Sequence, residues 1–170
     1  TGTLTQDRII LERHLDPTGT PDERVLRLAW LNSHHQSGVR NLMDQAVLQF
    51  AAGTPDVVRQ AASYSKIDEL PFDFVRRRLS VVVEGDGGEH LLICKGAVEE
   101  MLAISTHVRD GDTVRELDEN GRARLAHLAR GCNADGFRVL VVATREIPGV
   151  QSRASYGVAD ERDLVVQGFL

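Results

Sequence analysis

Apolar and polar positions follow two different rhythms along this chain. From residue 20 to about residue 62, apolar residues recur every three to four positions, the spacing that gathers them on one side of a helix. Val25, Leu28, Ala29 and Leu31 fall largely on one side of a first helix ending near Ser33. Thr20 is a candidate N-cap, Pro21 a first-turn residue, and Asp22 and Glu23 first-turn acids. A second helix is predicted over residues 42–52, closed by Gly53. A third, to about Ala62, starts with the same Thr-Pro-acid signal at Thr54-Pro55-Asp56. Ahead of these, residues 5–15 alternate loosely around Ile9, Ile10 and Leu11 and read as extended or strand, and residues 16–21 form a turn cluster.

Beyond residue 63 the period shortens to two. Residues 64–70 and 76–84 read as strands, residues 84–89 as a glycine-rich hairpin loop, and residues 90–94 as the return strand. Residues 96–104 read as helical, 108–114 as a turn, and 118–134 as a helix with Gly136 as its C-cap. Residues 137–145 and 164–170 are apolar strands. Strands cluster around helices without regular βαβ alternation. That predicts an α+β fold with a mainly antiparallel sheet flanked by helices.

Composition narrows the function classes. A chain of 170 residues with 42% hydrophobic and 26% charged content fits one globular domain with its own core. A net charge of -5 gives no electrostatic case for nucleic acid or an anionic membrane. No apolar run approaches the ~20 residues of a membrane-spanning helix, so this piece is not expected to be membrane-inserted. Cys94 and Cys132 form no CxxC pair and read as buried, reduced thiols. The chain begins without Met and stops inside the apolar run Gly168-Phe169-Leu170, so both ends read as cuts in a longer protein.

Candidate chemistry is sparse, and each signal carries a bland reading beside the sharp one. Lys95-Gly96-Ala97 follows a strand and opens a predicted helix, a setting for an anion or simply a turn. Pro71-Phe72-Asp73-Phe74-Val75-Arg76-Arg77-Arg78 joins aromatics to a basic triplet. It reads as a base-stacking and phosphate-binding stretch, or as core phenylalanines entering a strand with a solvated arginine face. Strand parity separates Phe72 from Arg77, so both meet one ligand only if the chain turns or bulges between them. Arg138 sits at the mouth of a predicted strand, where it reaches a ligand or solvent. Asp44, early in a helix, complements the helix dipole or accepts from a ligand. Phosphate-loop, dinucleotide, zinc-protease and hydrolase-elbow motifs are absent from the sequence, and the six histidines lack metal-ligand spacing.

These signals occur in the order one family requires. Thr1-Gly2-Thr3-Leu4-Thr5 resembles the tail of DKTGTLT, the phosphorylation signature of P-type ATPases, whose Asp is the covalent phosphoryl acceptor. Nearly the whole chain, to Asp160-Glu161-Arg162-Asp163-Leu164-Val165-Val166-Gln167-Gly168, resembles their nucleotide-binding domain. The stretch from Leu70 to Val83 looks most like the bacterial magnesium-transporting branch. The resemblance implies residues 1–5 as a remnant of the phosphorylation domain, 6–163 as the nucleotide-binding domain, and 164–170 as the return toward the phosphorylation domain. It implies that Phe72 stacks on adenine, that Asp44 accepts from the adenine amino group, and that Lys95 and Gly96 lie at the adenine end. Arg138 then reaches toward the phosphates and Glu69 lies near the pocket. Arg77 stands where relatives commonly carry Lys, which keeps the charge and changes its geometry. ATP, as Mg-ATP, is the implied ligand. The implied partners are the phosphorylation and actuator domains of one parent chain in the bacterial inner membrane, with this domain on the cytoplasmic side. The catalytic Asp would lie just upstream. A second reading is the cap of a soluble haloacid dehalogenase-type phosphatase, a superfamily with a related Asp-x-x-x-Thr signature.

Overall fold

The computed structural model describes residues 9–151 and 153–170; the TGTLT motif lies outside them. Five helices and seven strands follow in the order α1 (Glu23–His34), α2 (Leu42–Ala52), α3 (Pro55–Ala61), β1 (Ser65–Asp73), β2 (Arg78–Glu84), β3 (His90–Ala97), α4 (Val98–Ala103), β4 (Ser105–Asp110), β5 (Thr113–Glu116), α5 (Glu119–Ala134), β6 (Leu140–Ile147) and β7 (Leu164–Phe169) among the described residues. The strands form one sheet, ordered β1-β2-β3-β6-β7-β4-β5. Its pairs are antiparallel except β4 with β7. The α+β, mainly antiparallel expectation is met.

Alternation along the central strands builds two cores. Val81, Val83, Ile93 and Val142 face α1, α2 and α3, where they meet Val25, Leu26 and Val47. The residues between them, Val82, Leu92, Cys94, Val141 and Ala143, face α4 and α5 and meet Met101, Leu125 and Ala129. Strands covered on both faces need apolar residues at every position, which explains why β2, β3 and β6 read as continuous apolar runs. Burial also pushes the Cys94 thiol up to about 12. Cys94 is buried as expected, whereas Cys132 is only half-buried; both are free thiols.

Several elements differ from the pattern. Among residues 9–14 no strand forms; Leu15 makes only isolated bridges, to Pro21 and Phe169. The Leu15–Phe169 bridge lets the two ends of the fold cross closely: at Gly168 a Cβ would overlap the Leu15 carbonyl oxygen. Residues 108–114 are a hairpin of β4 and β5 rather than a lone turn; β5 is exposed throughout, so it shows no alternation to detect. Gly96 and Ala97 belong to β3, and α4 begins only at Val98. Gly96 continues the strand because Ala97 N–H donates to the Arg77 carbonyl at 3.0 Å. Residues 76 and 77 lie in a turn, and β6 begins at Leu140, three residues after the predicted start.

The first helix is capped by Asp22, not Thr20. The Asp22 carboxylate accepts from the Arg24 N–H at 2.9 Å and from the Arg109 guanidinium of β4. A carboxylate at the N-cap satisfies an orphan N–H and the positive helix end together, and here it also ties α1 to the sheet. Burial alone would raise the Asp22 carboxyl, but the Arg24 N–H and the Arg109 charge outweigh it and hold it below its ordinary 3.8. A carboxyl depressed in the folded state stabilises above its unfolded value and loses that contribution as pH falls through the folded one. Asp22→Ala should therefore cost about 1 kcal/mol or more at pH 7. The cost should shrink as pH falls below the ordinary carboxylate value of 3.8, as read from urea midpoints of both proteins across pH.

Candidate functional site

The end of β3 carries a buried ion pair. Lys95 is 2% exposed and Asp44 0%. Lys95 Nζ lies 2.5 Å from Asp44 Oδ1 and donates to Ser33 Oγ at 2.7 Å, while Ser33 Oγ donates to Asp44 Oδ1 at 2.8 Å. Three elements converge here: Lys95 comes from the helix-facing side of β3, Ser33 from the last turn of α1, and Asp44 from the first turn of α2. Asn41 caps α2 by accepting from the Asp44 N–H at 2.8 Å, which fixes where the carboxylate starts. Burial lowers the Lys95 ammonium below its ordinary value, and Asp44 opposes that shift. Asp44 Oδ2 is buried and has no hydrogen-bond donor among the described residues.

A polar connection covers this pair. Gln36, between α1 and α2, donates to the Asn32 carbonyl at 3.0 Å and reaches Asp44 Oδ1 at 3.4 Å. Ser37 N–H donates to Glu69 at 3.1 Å, and Lys66 Nζ donates to the same carboxylate at 3.0 Å. Burial would raise Glu69, but the Ser37 and Lys66 hydrogen bonds dominate and lower it. Glu69 thus fastens the connection to β1.

Phe72 and Arg77 flank the tip of the β1–β2 hairpin. Register shifts between Leu70 and Asp73, and residues 74–77 form the turn that strand parity required. Phe72 is 45% exposed and meets Phe74 edge-to-face at 5.5 Å. Arg77, at φ 51, pairs with Glu100 of α4 at 2.9 Å. A cleft of about 600 Å³ runs between this turn, α4 and α5; Arg77, Glu99, Arg130, Asn133 and Arg138 line it. Arg138 is exposed and has no ion-pair partner among the described residues. It follows Gly136, whose φ of 92 ends α5 in the left-handed region.

The structure brings Asp44 to Lys95, and Arg77 to Arg138. Phe72 and Glu69 share β1 but do not line the arginine cleft. Gly96 has no helix behind it; its value is close approach, since a Cβ there would meet the Arg77 carbonyl at 2.7 Å. The helix-end anion setting expected for Lys95-Gly96-Ala97 is absent because Lys95 points into the α1–α2 layer. Sequence reasoning missed Ser33, Asn32 and Glu161. Asn32-Ser33 breaking the apolar face of α1 was the available signal, because polar groups inside a helix face need buried partners.

This constellation has a family. The chain matches P-type ATPase, cytoplasmic domain N, over residues 24–170. It belongs to that family. It is 52% identical over its full length to Magnesium-transporting ATPase, P-type 1 of Salmonella typhimurium, of which the match covers 19%. It is 44% identical to the protein of the same name from Escherichia coli K12, again over the full chain and 19% of that protein. Plasma membrane ATPase 1 of Saccharomyces cerevisiae is 29% identical over 88% of this chain and 16% of its own length. The chain therefore spans about a fifth of the bacterial relatives. The comparisons lend no support to the phosphatase-cap alternative. No helix among the described residues is long and apolar enough to cross a membrane.

Removing one partner of a buried pair strands the other charge, typically at about 3–5 kcal/mol. Lys95→Met should show a loss of that order in urea unfolding followed by Trp30 fluorescence. Lys95→Met with Asp44→Leu should recover most of it.

Proposed function

We propose that this domain binds ATP and holds it for transfer of the γ-phosphoryl group to an Asp upstream in a magnesium-transporting P-type ATPase. The observation that carries the reading is Asp44 Oδ2, a buried acceptor without a donor among the described residues. An orphaned acceptor of this kind costs about 1–3 kcal/mol, and an adenine amino group supplies the missing N–H. Base entry displaces Gln36 from its 3.4 Å contact with Asp44 Oδ1 and its 3.0 Å bond to the Asn32 carbonyl. Phe72 offers a half-exposed ring for stacking on the base. Lys95 pairs with Asp44 Oδ1 at 2.5 Å, and Gly96 lets the β1–β2 turn approach the end of β3 closely.

The phosphates then extend toward the arginine cleft. Arg138, like Arg130, lines that cleft with no ion-pair partner among the described residues and is placed to meet them, and Arg77 reaches the same space by exchanging Glu100 for phosphate. Magnesium would enter with ATP, neutralising the phosphates and orienting them. The domain's contribution is positioning: it fixes base and ribose while domain closure brings the phosphorylation and actuator domains to the other end. The magnesium assignment rests on the identity to the bacterial relatives. A cytoplasmic location on a bacterial inner-membrane pump follows from the same kinship.

The test is an NMR titration with ATP and with adenosine. Amides around Phe72, Lys95 and Gly136 should shift at millimolar nucleotide; if they stay still, the reading fails. Phe72→Ala should weaken both ligands by roughly 1–3 kcal/mol, the usual worth of one stacked base. Arg138→Ala should weaken ATP and leave adenosine nearly unchanged.

A further inference from the structure

The tip of the β1–β2 hairpin is held from outside the hairpin. Phe74 is 89% and Val75 92% exposed, so the turn has little packing of its own. Its last residue, Arg77, sits in the left-handed region at φ 51, a conformation unfavourable for a residue that bears a side chain. Such a conformation persists only where the surroundings over-determine it.

Glu161 supplies that constraint. Its side chain is fully buried, just ahead of β7. It accepts from Arg78 Nε at 2.5 Å, from Ser80 Oγ at 2.9 Å, and from Arg76 at 3.4 Å. Arg76 in turn donates to Asp73 at 2.8 Å and to the Pro71 carbonyl at 3.0 Å. One carboxylate therefore fastens both residues that flank Arg77, and through Arg76 it reaches the carbonyl just before Phe72. Planar guanidinium forks make these ties directional, which a point charge would not.

We propose that Glu161 is a positioning residue for nucleotide binding: it sets the hairpin turn so that Phe72 and Arg77 face one ligand. The inference rests on the nucleotide reading of those two residues. Glu161 touches neither ligand nor reacting atoms. It acts by fixing a turn more than eighty positions earlier in the chain.

The experiment compares wild type, Glu161→Gln and Arg153→Ala of this chain. Arg153 forms an ion pair with Asp160 in the same segment but does not contact the turn, so it controls for general loosening there. ATP and adenosine affinities are measured at a temperature where Trp30 fluorescence shows each protein folded. Glu161→Gln should weaken both ligands by about tenfold, the scale of a small misplacement of binding groups. It should also shift the ligand-free amides of residues 72–78. Arg153→Ala should change neither. Unchanged affinity in Glu161→Gln beside a lowered melting temperature makes Glu161 mere structural glue and overturns the proposal. If Glu161→Gln does not fold, Arg76→Lys carries the same expectation, because it keeps the charge and loses the fork. Failure of wild type to bind either ligand sinks the nucleotide reading and this inference together. Binding by wild type with unaltered affinity in both turn variants sinks the inference alone.

Discussion

Burial of β2, β3 and β6 on both faces is the constraint on which the rest depends. Where helices cover both sides of a strand, every residue enters a dry layer, and any polar group there must be answered locally. The chain answers twice at the same end of β2 and β3. On one face Lys95, opposite Leu79, meets Asp44 and Ser33; on the other, Arg78, opposite Gly96, meets Glu161, which also accepts from Ser80. The two ionic clusters sit back to back through the sheet. The proposed nucleotide contacts gather where apolar packing gives way to these clusters.

That arrangement separates rigidity from reach. The carboxylates and cations buried in the clusters are partnered and fix backbone positions. The groups proposed to meet the nucleotide lie just beyond them: Phe72 and Arg77 about the hairpin tip, and Arg138 past the end of α5. Asp44 belongs to both sets in this proposal, with one oxygen committed to Lys95 and Ser33 and the other without a donor among the described residues.

Elements with a strong internal rhythm were legible in the sequence. The second helix matched its predicted bounds, Leu42 to Ala52, because Asn41 and Gly53 punctuate a clear apolar face. The glycine-rich hairpin between β2 and β3 was equally plain. What escaped were features decided by distant contacts. Thr20 looked like the N-cap, but Asp22 takes the role because Arg109, far along the chain, reinforces it. Gly96 looked like a helix start, yet pairing with Arg78 keeps it in the strand. Of the site, Phe72, Lys95, Asp44 and Arg138 were named from a resemblance. The Lys95–Asp44 contact itself, and the part of Glu161, came only from the fold. One of the three acids in Asp160-Glu161-Arg162-Asp163 is buried, and nothing local marks which.

The place of β7 in the sheet has a consequence for how the chain reaches this structure. The strand closest to the C-terminal end of the chain lies in the interior, between β6 and β4, and β4 and β5 join the rest of the sheet only through it. Leu15 finds its partner at Phe169, across nearly the entire sequence. Such pairing carries the loop-closure entropy of the whole chain before it is rewarded, which places the fold among the slower, high-contact-order topologies. During synthesis, the β1-β2-β3 meander can assemble early and then take on β6. The β4–β5 hairpin must wait, its joining edge unpaired, until the last strand is made.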